Sequence, residues 1–253
     1  MKTMFITGAA HGIGLATARH FAAQGWFVGL YDINTAELDR LVASGEFPNA
    51  CSQYCDVTRR ESIEQAFAQF AKYTEERLDL LVNNAGVLTS GCFEEIESGA
   101  HELMIEVNIK GLTNLAQAAF PLLQSTPGAT MVNLCSVSSV HGIPLLAVYS
   151  ASKFYVNGLT EALRIEWAKH DIRVSAVKPP LVNTRMGHAV RPELMAKFAV
   201  DMEPETVALA IQRAAEGART GYLLDTKSRV WAWLDKYLPE AGRRRLVRYL
   251  TGQ

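Results

Sequence analysis

Tyr149 and Lys153 stand four positions apart in the run Tyr149-Ser150-Ala151-Ser152-Lys153, within a stretch that reads as helix. At that spacing both side chains share one helix face, so an ammonium can sit beside a phenol. An unperturbed tyrosine titrates near ~10, and a neighbouring cation lowers that value by stabilising the phenolate. A shift of roughly three units, worth about 4 kcal/mol, would make the phenol a proton donor and acceptor at neutral pH. Ser136, another hydroxyl, lies thirteen residues upstream. A Tyr-x-x-x-Lys pair recurs by chance in helices, so its meaning depends on its company.

Part of that company is the run Thr7-Gly8-Ala9-Ala10-His11-Gly12-Ile13-Gly14, between a strand-like segment and a helical one. There a pyrophosphate can meet free backbone N–H groups and the positive helix end, provided no side chain blocks the approach. Asp32 closes the second strand, where a carboxylate accepts hydrogen bonds from ribose hydroxyls and repels a 2′-phosphate. No arginine or lysine occupies Ala9, Ala10, Tyr31 or Ile33 to neutralise such a phosphate, which favours NAD over NADP. The plainer alternative for Asp32 is a cap on the helix that follows from Asn34. For Asp56, at the end of another strand, the plainer alternative is a turn former.

Thr7-Gly8-x-x-x-Gly12-x-Gly14, Asp56-Val57, Asn83-Asn84-Ala85-Gly86, Asn108, Ser136, Tyr149, Lys153, Pro179 and Thr184 follow one another in an order that resembles the short-chain dehydrogenase/reductase family over most of the chain. The resemblance implies a Rossmann-type, doubly wound parallel α/β sheet and nicotinamide-dependent redox chemistry. It assigns Gly8, His11, Gly12, Ile13, Gly14 and Asp32 to the cofactor, with Asp56 and Val57 at the adenine and Asn84 and Gly86 near its ribose. Pro179, Val182 and Thr184 match the loop that grips the carboxamide, although Pro179-Pro180 replaces the family's Pro-Gly and removes a donor. Tyr149 takes the general acid/base role, and Lys153 lowers its pKa while holding the nicotinamide ribose. Ser136 stabilises the carbonyl oxygen, and Asn108 holds a water bonded to the lysine.

Ser138 and Ser139 compete with Ser136, but Asn133-Leu134-Cys135-Ser136 aligns with the family's Asn-x-x-Ser. Cys135 reads as a small buried residue rather than a nucleophile. A serine hydrolase is excluded because there is no Gly-x-Ser-x-Gly elbow and His141 has no evident acidic partner. The expected substrate is a fairly hydrophobic carbonyl or secondary alcohol. The alternatives are a catalytically silent nicotinamide-binding protein and a 3-oxoacyl reductase using NADPH. A silent member would be expected to lose one of Asn108, Ser136, Tyr149 or Lys153, and all four are present. Homo-oligomers, dimers or tetramers, are usual in the family.

The elements that must position these groups are legible as alternating patterns. Strands are predicted over 4–7, 26–31, 50–55, 78–82, 129–134 and 172–177. Helices are predicted over 13–24, 34–42, 59–73 and 149–168, with a further long one around Asn108 ending before Pro121. Thr58-Arg59-Arg60-Glu61 has the pattern of a capping box for the 59–73 helix. A lid over about 181–202 carries Met186, Met195 and Phe198, with Arg185, His188 and Arg191 leaving an acidic substrate open. In a tail over about 228–253, Val230, Trp231, Trp233, Leu234, Tyr237 and Leu238 make one apolar helical face. That tail is expected to pack over the substrate cleft or a subunit interface. Arg243, Arg244, Arg245 and Arg248 read as a solvated face rather than a membrane contact.

At 253 residues, 49% apolar and 20% charged, the chain fits one α/β domain spanning 1–253. A net charge of −1 argues against nucleic acid. The first strand runs directly into the glycine motif, so no signal peptide is expected, and no apolar run is long enough to span a bilayer. The four cysteines, Cys51, Cys55, Cys92 and Cys135, lack metal-ligand spacing. They point to reduced thiols in a cytoplasm and to no metal.

Overall fold

In β1 (Thr3–Thr7) every residue is buried, and alternate side chains enter opposite layers. Met4 and Ile6 pack on one face, and Phe5 packs on the other beneath Phe67 and Phe70. A strand covered on both faces is what a parallel sheet demands. The computed structural model describes residues 1–195 and 198–251; Ala196 and Lys197 of the expected lid, and Gly252 and Gln253 of the tail, lie outside the described residues.

After β1 come α1 (Gly12–Ala22), β2 (Phe27–Asp32), α2 (Thr35–Ala43), β3 (Ala50–Tyr54), α3 (Arg60–Thr74) and β4 (Leu80–Asn83). The second half runs α4 (Ser98–Ile105), α5 (Leu112–Gln124), β5 (Thr130–Leu134), α6 (Ala147–Glu166) and β6 (Arg173–Lys178). Two short helices, α7 (Arg185–His188) and α8 (Pro192–Met195), precede α9 (Pro204–Glu216) and β7 (Gly221–Leu223). The chain closes with α10 (Thr226–Tyr237) and α11 (Glu240–Thr251).

The strand order is β3-β2-β1-β4-β5-β6-β7, with every neighbouring pair parallel. This is the Rossmann-type doubly wound sheet. The chain winds outward from β1 to β3 and then returns to β4 on the other side of β1. A crevice therefore opens at the carboxyl ends of β1 and β4, the usual ligand position in such sheets. One layer unites Phe21 of α1, Leu38 and Leu41 of α2 and Ile211 of α9; the other unites Ile63 of α3 and Leu115 and Leu123 of α5. Phe5 stacks on Tyr31 at 3.9 Å and on Phe67 at 4.3 Å between ring centroids. Gly29 makes room for that stack, since a Cβ there would lie 2.7 Å from the Phe70 ring.

Two local expectations are corrected. Thr58 does not form a capping box: its N–H and its hydroxyl both donate to Asp56 Oδ1, while the Asp56 N–H donates to Ser62 Oγ. The aspartate two residues away takes the hydroxyl before the helix can. The region around Asn108 is also not one helix ending before Pro121. A π-helical turn over Glu106–Gly111 separates α4 from α5, and Pro121 lies inside α5. Pro121 lies in the last turn of α5, so the helix forgoes one N–H donor there and ends three residues later at Gln124.

The aromatic layer carries a pH signature. Burial pushes the Cys51 thiol up to about 11 and the Cys55 thiol up to about 12, from an ordinary 9.0. Burial also raises Tyr31, whose hydroxyl donates to Gln69 Oε1 at 2.7 Å. Folded-state values above the unfolded ones mean that the contribution to stability is complete below pH 9 and is lost as pH climbs from 9 towards 12. Urea unfolding at about pH 8 and about pH 10.5 should show a clear drop in stability, on the order of 2 kcal/mol per thiol. The Cys51→Ala/Cys55→Ala double variant should lose most of that pH dependence.

Candidate active site

The glycine turn is built by backbone conformation and close packing. Gly8 (φ +66°) and Gly12 (φ +54°) occupy the left-handed region. Gly14 lies flush on the turn, where a Cβ would stand 1.9 Å from the Gly8 carbonyl oxygen. Asn84 Nδ2 donates to the carbonyls of Thr7 (2.8 Å) and Gly8 (3.2 Å), and Thr7 Oγ1 accepts from the N–H groups of Asn84 and Ala85. Asn84 thus clamps the turn to the end of β4. At the head of α1, His11 supplies no side-chain cap, so the first-turn N–H groups look into a cavity lined by His11, Gly12, Ile13 and Gly14. Uncapped donors beside glycines with no room for a Cβ suit the pyrophosphate of a dinucleotide.

Asp32 lies at the same end of that cavity. Its Oδ2 accepts from the Ala10 N–H and its Oδ1 from the Asn34 N–H, both at 3.0 Å. The α2 cap is Asn34, whose side chain accepts from the Glu37 N–H. Asp32 therefore joins the end of β2 to the glycine turn, and each carboxylate oxygen still has a free lone pair. Asp56 and Val57 are not brought to the cavity. Asp56 forms the Thr58 turn described above, and Val57 is buried where a Cβ on Gly111 would approach it to 2.7 Å.

Midway along the cavity, α6 presents Tyr149 and Lys153, with the ammonium 5.5 Å from the centroid of the phenol ring. Lys153 Nζ donates to the Leu134 carbonyl at 2.9 Å. Ser136 follows β5 and lines the same wall; its hydroxyl donates to Ser138 Oγ and accepts from the Ser138 N–H, both at 3.2 Å. Ser139 Oγ donates to the Ser136 carbonyl and does not line the cavity. Cys135 is buried, and its thiol donates to the Lys153 carbonyl at 3.3 Å. The π turn delivers Asn108 to the segment after β4. There its Oδ1 accepts from the Val87 N–H, and its Nδ2 donates to the Val87 carbonyl and to Ser152 Oγ. Asn108 is buried behind the wall rather than on it, 3.3 Å from where a Cβ of Gly86 would be. The part played by Ser152 has no local signal in the sequence, because its partner lies 44 residues away.

The electrostatics reverse one expectation. Burial pushes the Tyr149 hydroxyl up to about 12, against an opposing pull from Ser136, and burial lowers Lys153. Spacing places the cation beside the phenol, but burial sets the direction of both shifts here. The phenol therefore stands protonated across the neutral range, ready to donate.

The cavity has a volume of about 1000 Å³ and continues past Pro179, Val182 and Thr184 into an apolar end at Ile143, Leu146, Val190 and Leu194. The Pro179 carbonyl accepts from the Val137 N–H, which ties the carboxamide-side loop to the Ser136 turn despite Pro180. Thr184 caps α7 by accepting from the Gly187 N–H. Among the lid cations, Arg185 lines the cavity, whereas Arg191 pairs with Glu95 at 3.0 Å and His188 bonds Asn183.

Trp231 and Leu234 of α10 and Leu246 of α11 complete the wall, as expected of a tail over the cleft. Trp233 departs from the expected buried face and is 61% exposed. His141 also departs from its expected lack of an acidic partner: its Nδ1 lies 2.7 Å from Asp235 Oδ1 on α10, 94 residues away in sequence. That pair ties α10 to the segment that follows Ser136, and Arg243 of α11 lies 3.9 Å from the same carboxylate.

The family model described as short chain dehydrogenase matches residues 2–194. Over 231 residues the sequence is 34% identical to the oxidoreductase UcpA of Salmonella typhimurium, covering 88% of this chain and 85% of that one. Over 206 residues it is 35% identical to the 3-oxoacyl-(acyl-carrier-protein) reductase FabG of Thermotoga maritima, covering 80% and 82%. In structure it is similar to the 3-ketoacyl-(acyl-carrier-protein) reductase from Brucella melitensis complexed with NADH, with a TM-score of 0.79, 25% identity, and coverage of 88% and 95%.

Proposed function

Because the chain belongs to the short-chain dehydrogenase family and exchanges hydride through a nicotinamide cofactor, we propose that it uses NAD on an uncharged, mainly apolar ketone or secondary alcohol. One observation carries this reading. Ser136, Tyr149 and Lys153 share a cavity whose one end holds Asp32 and the glycine turn and whose other end is apolar.

Bound nicotinamide supplies or accepts the hydride. Tyr149 gives its proton to the carbonyl oxygen in reduction and takes the alcohol proton in oxidation, while Ser136 donates a hydrogen bond to that oxygen as charge builds. Lys153 contributes a buried ammonium beside the phenol. Asn108 acts through Val87 and Ser152 as a positioning residue. The cofactor residues are Gly8, His11, Gly12, Ile13, Gly14, Asp32, Asn84, Gly86, Pro179, Val182 and Thr184, all on the cavity wall.

The preference for NAD rests on the Asp32 carboxylate at the ribose end. Two cations of α1 and α2 are already engaged, Arg19 with Glu46 and Arg40 with Glu37. The wild type should show the higher kcat/KM with NAD, and Asp32→Ser should narrow the NAD:NADP ratio by roughly 10- to 100-fold, the range for losing hydrogen bonds to a charged acceptor. A wild-type preference for NADP defeats the reading. A second substrate reading, a 3-oxoacyl thioester, is favoured by the two relatives named for that reaction, one of them complexed with NADH. Secondary alcohols and 3-oxoacyl thioesters, compared by absorbance at the NADH band, separate the two.

We further read residues 1–253 as one dinucleotide-binding and catalytic domain of a cytoplasmic homo-oligomer. On α6, Phe154, Tyr155 and Ile165 are exposed, the last at 80%. Gly158 lies among them with open space where a Cβ would stand. Such a face supports helix pairing between subunits, and Phe154→Glu should lower the mass measured by light scattering. Cys51, Cys55 and Cys135 are buried free thiols, in keeping with a reducing compartment.

A further inference from the structure

The charge of this chain is unevenly distributed. From Thr226 to Thr251 there are seven basic residues against two acidic ones, Asp235 and Glu240, a surplus of five positive charges on a chain whose total is −1. The remainder is therefore acidic by six, so the basic character is concentrated in α10 and α11. On the outer side of α10, Val230, Trp233 and Tyr237 fall on one stripe and are 51%, 61% and 63% exposed. The rings of Trp233 and Tyr237 lie 5.3 Å apart, and Lys236 sits over Tyr237. On α11, Arg244, Arg245 and Tyr249 are exposed, at positions that share one face. The inner side of α10 is already occupied, since Trp231 and Leu234 form the cavity wall.

We propose that α10 and α11 together form a surface that docks this protein on an anionic lipid bilayer. An interfacial helix combines an aromatic or aliphatic stripe with flanking Lys and Arg, and Trp and Tyr favour the headgroup level. The basic surplus is attracted to anionic headgroups within about a Debye length. A second copy of the chain fits this face less well, because two tails with the same positive surplus repel when apposed. No helix among the described residues is long and apolar enough to cross a membrane, so the contact is peripheral. Val230 belongs to both the outer stripe and the cavity wall. Docking therefore opens the cavity beside the bilayer, from which an apolar substrate enters; this last clause rests on the proposed substrate class, and docking does not.

Sedimentation with phosphatidylcholine vesicles, with and without phosphatidylglycerol, tests the proposal on the full chain. The wild type should sediment only with the anionic vesicles, and added salt should release it. Arg244→Ala/Arg245→Ala should weaken binding roughly thirty-fold, and Trp233→Ala/Tyr237→Ala by about tenfold or more. Circular dichroism and NADH titration should be unchanged in both variants, since neither pair touches the cofactor end. Absence of wild-type binding, or equal binding by both variants, overturns the proposal. So does a loss of oligomeric mass in Trp233→Ala/Tyr237→Ala without vesicle binding in the wild type, which would assign the face to a second copy. Vesicle binding without turnover of any apolar alcohol or ketone would refute the substrate reading and leave docking intact.

Discussion

Tyr149→Phe should lower turnover by about 10²-fold or more, the usual range for loss of a general acid or base, while NADH binds as before. The substitution deletes one hydroxyl and keeps the ring, so the packing of Tyr149 with Ile143, Leu146 and Leu194 is retained. Neither of the serines nearest in sequence replaces it: Ser136 is engaged with Ser138, and Ser139 donates to a backbone carbonyl and does not line the cavity. The phenol's elevated value, about 12, makes it the protonated partner in reduction at neutral pH. Oxidation should accordingly gain more than reduction from raising the pH. Stopped-flow traces of hydride exchange and fluorescence titration with NADH separate the two effects. Near-normal turnover in the variant would falsify the acid/base assignment.

Gly14→Ala should be nearly as damaging, through affinity rather than chemistry. The new methyl would stand 1.9 Å from the Gly8 carbonyl oxygen and 2.8 Å from Asn84 Nδ2. These atoms belong to the turn and to its clamp, so the overlap is relieved only by opening the turn. That costs the Asn84 bonds to the Thr7 and Gly8 carbonyls and displaces the first-turn N–H groups. A loss of roughly 2–3 kcal/mol, typical of overpacking, and a fall in NADH affinity of about tenfold or more are expected. Gly142→Ala is the control, because nothing lies within 4 Å of its would-be Cβ. A Gly14→Ala protein with unchanged melting and unchanged NADH affinity would remove the glycine turn from the cofactor site.

Most of the architecture is legible in the sequence because its signals are local. The apolar runs that became β1, β2, β4 and β5 sit between turn residues, and each ends within about two residues of its expected boundary, as hydrogen-bonded ends usually do. Tyr149 and Lys153 are placed together by helix geometry alone, and the glycines of the first turn report their own need for space. The boundaries that failed were set by competition. Thr58 carries a capping pattern, yet Asp56 binds it first; Pro121 reads as a helix stop, yet α5 continues through it.

Residue types and short-range spacing by themselves determined the alternation of strands and helices, the glycine turn after β1 and the pairing of Tyr149 with Lys153, because period, turn chemistry and helix spacing act within a few residues; the doubly wound sheet and the choice of Ser136 follow from the resemblance of the ordered motifs to the family. Only the tertiary structure decided which groups lose water and which meet across the chain. Burial raises the Tyr149 hydroxyl where spacing predicts a lowered one, Asp56 and Val57 fall outside the cavity, and His141 finds Asp235 across 94 residues. Desolvation depends on every element packed around a group, and long-range pairing depends on how the sheet is wound. Neither quantity is written in the neighbours along the chain.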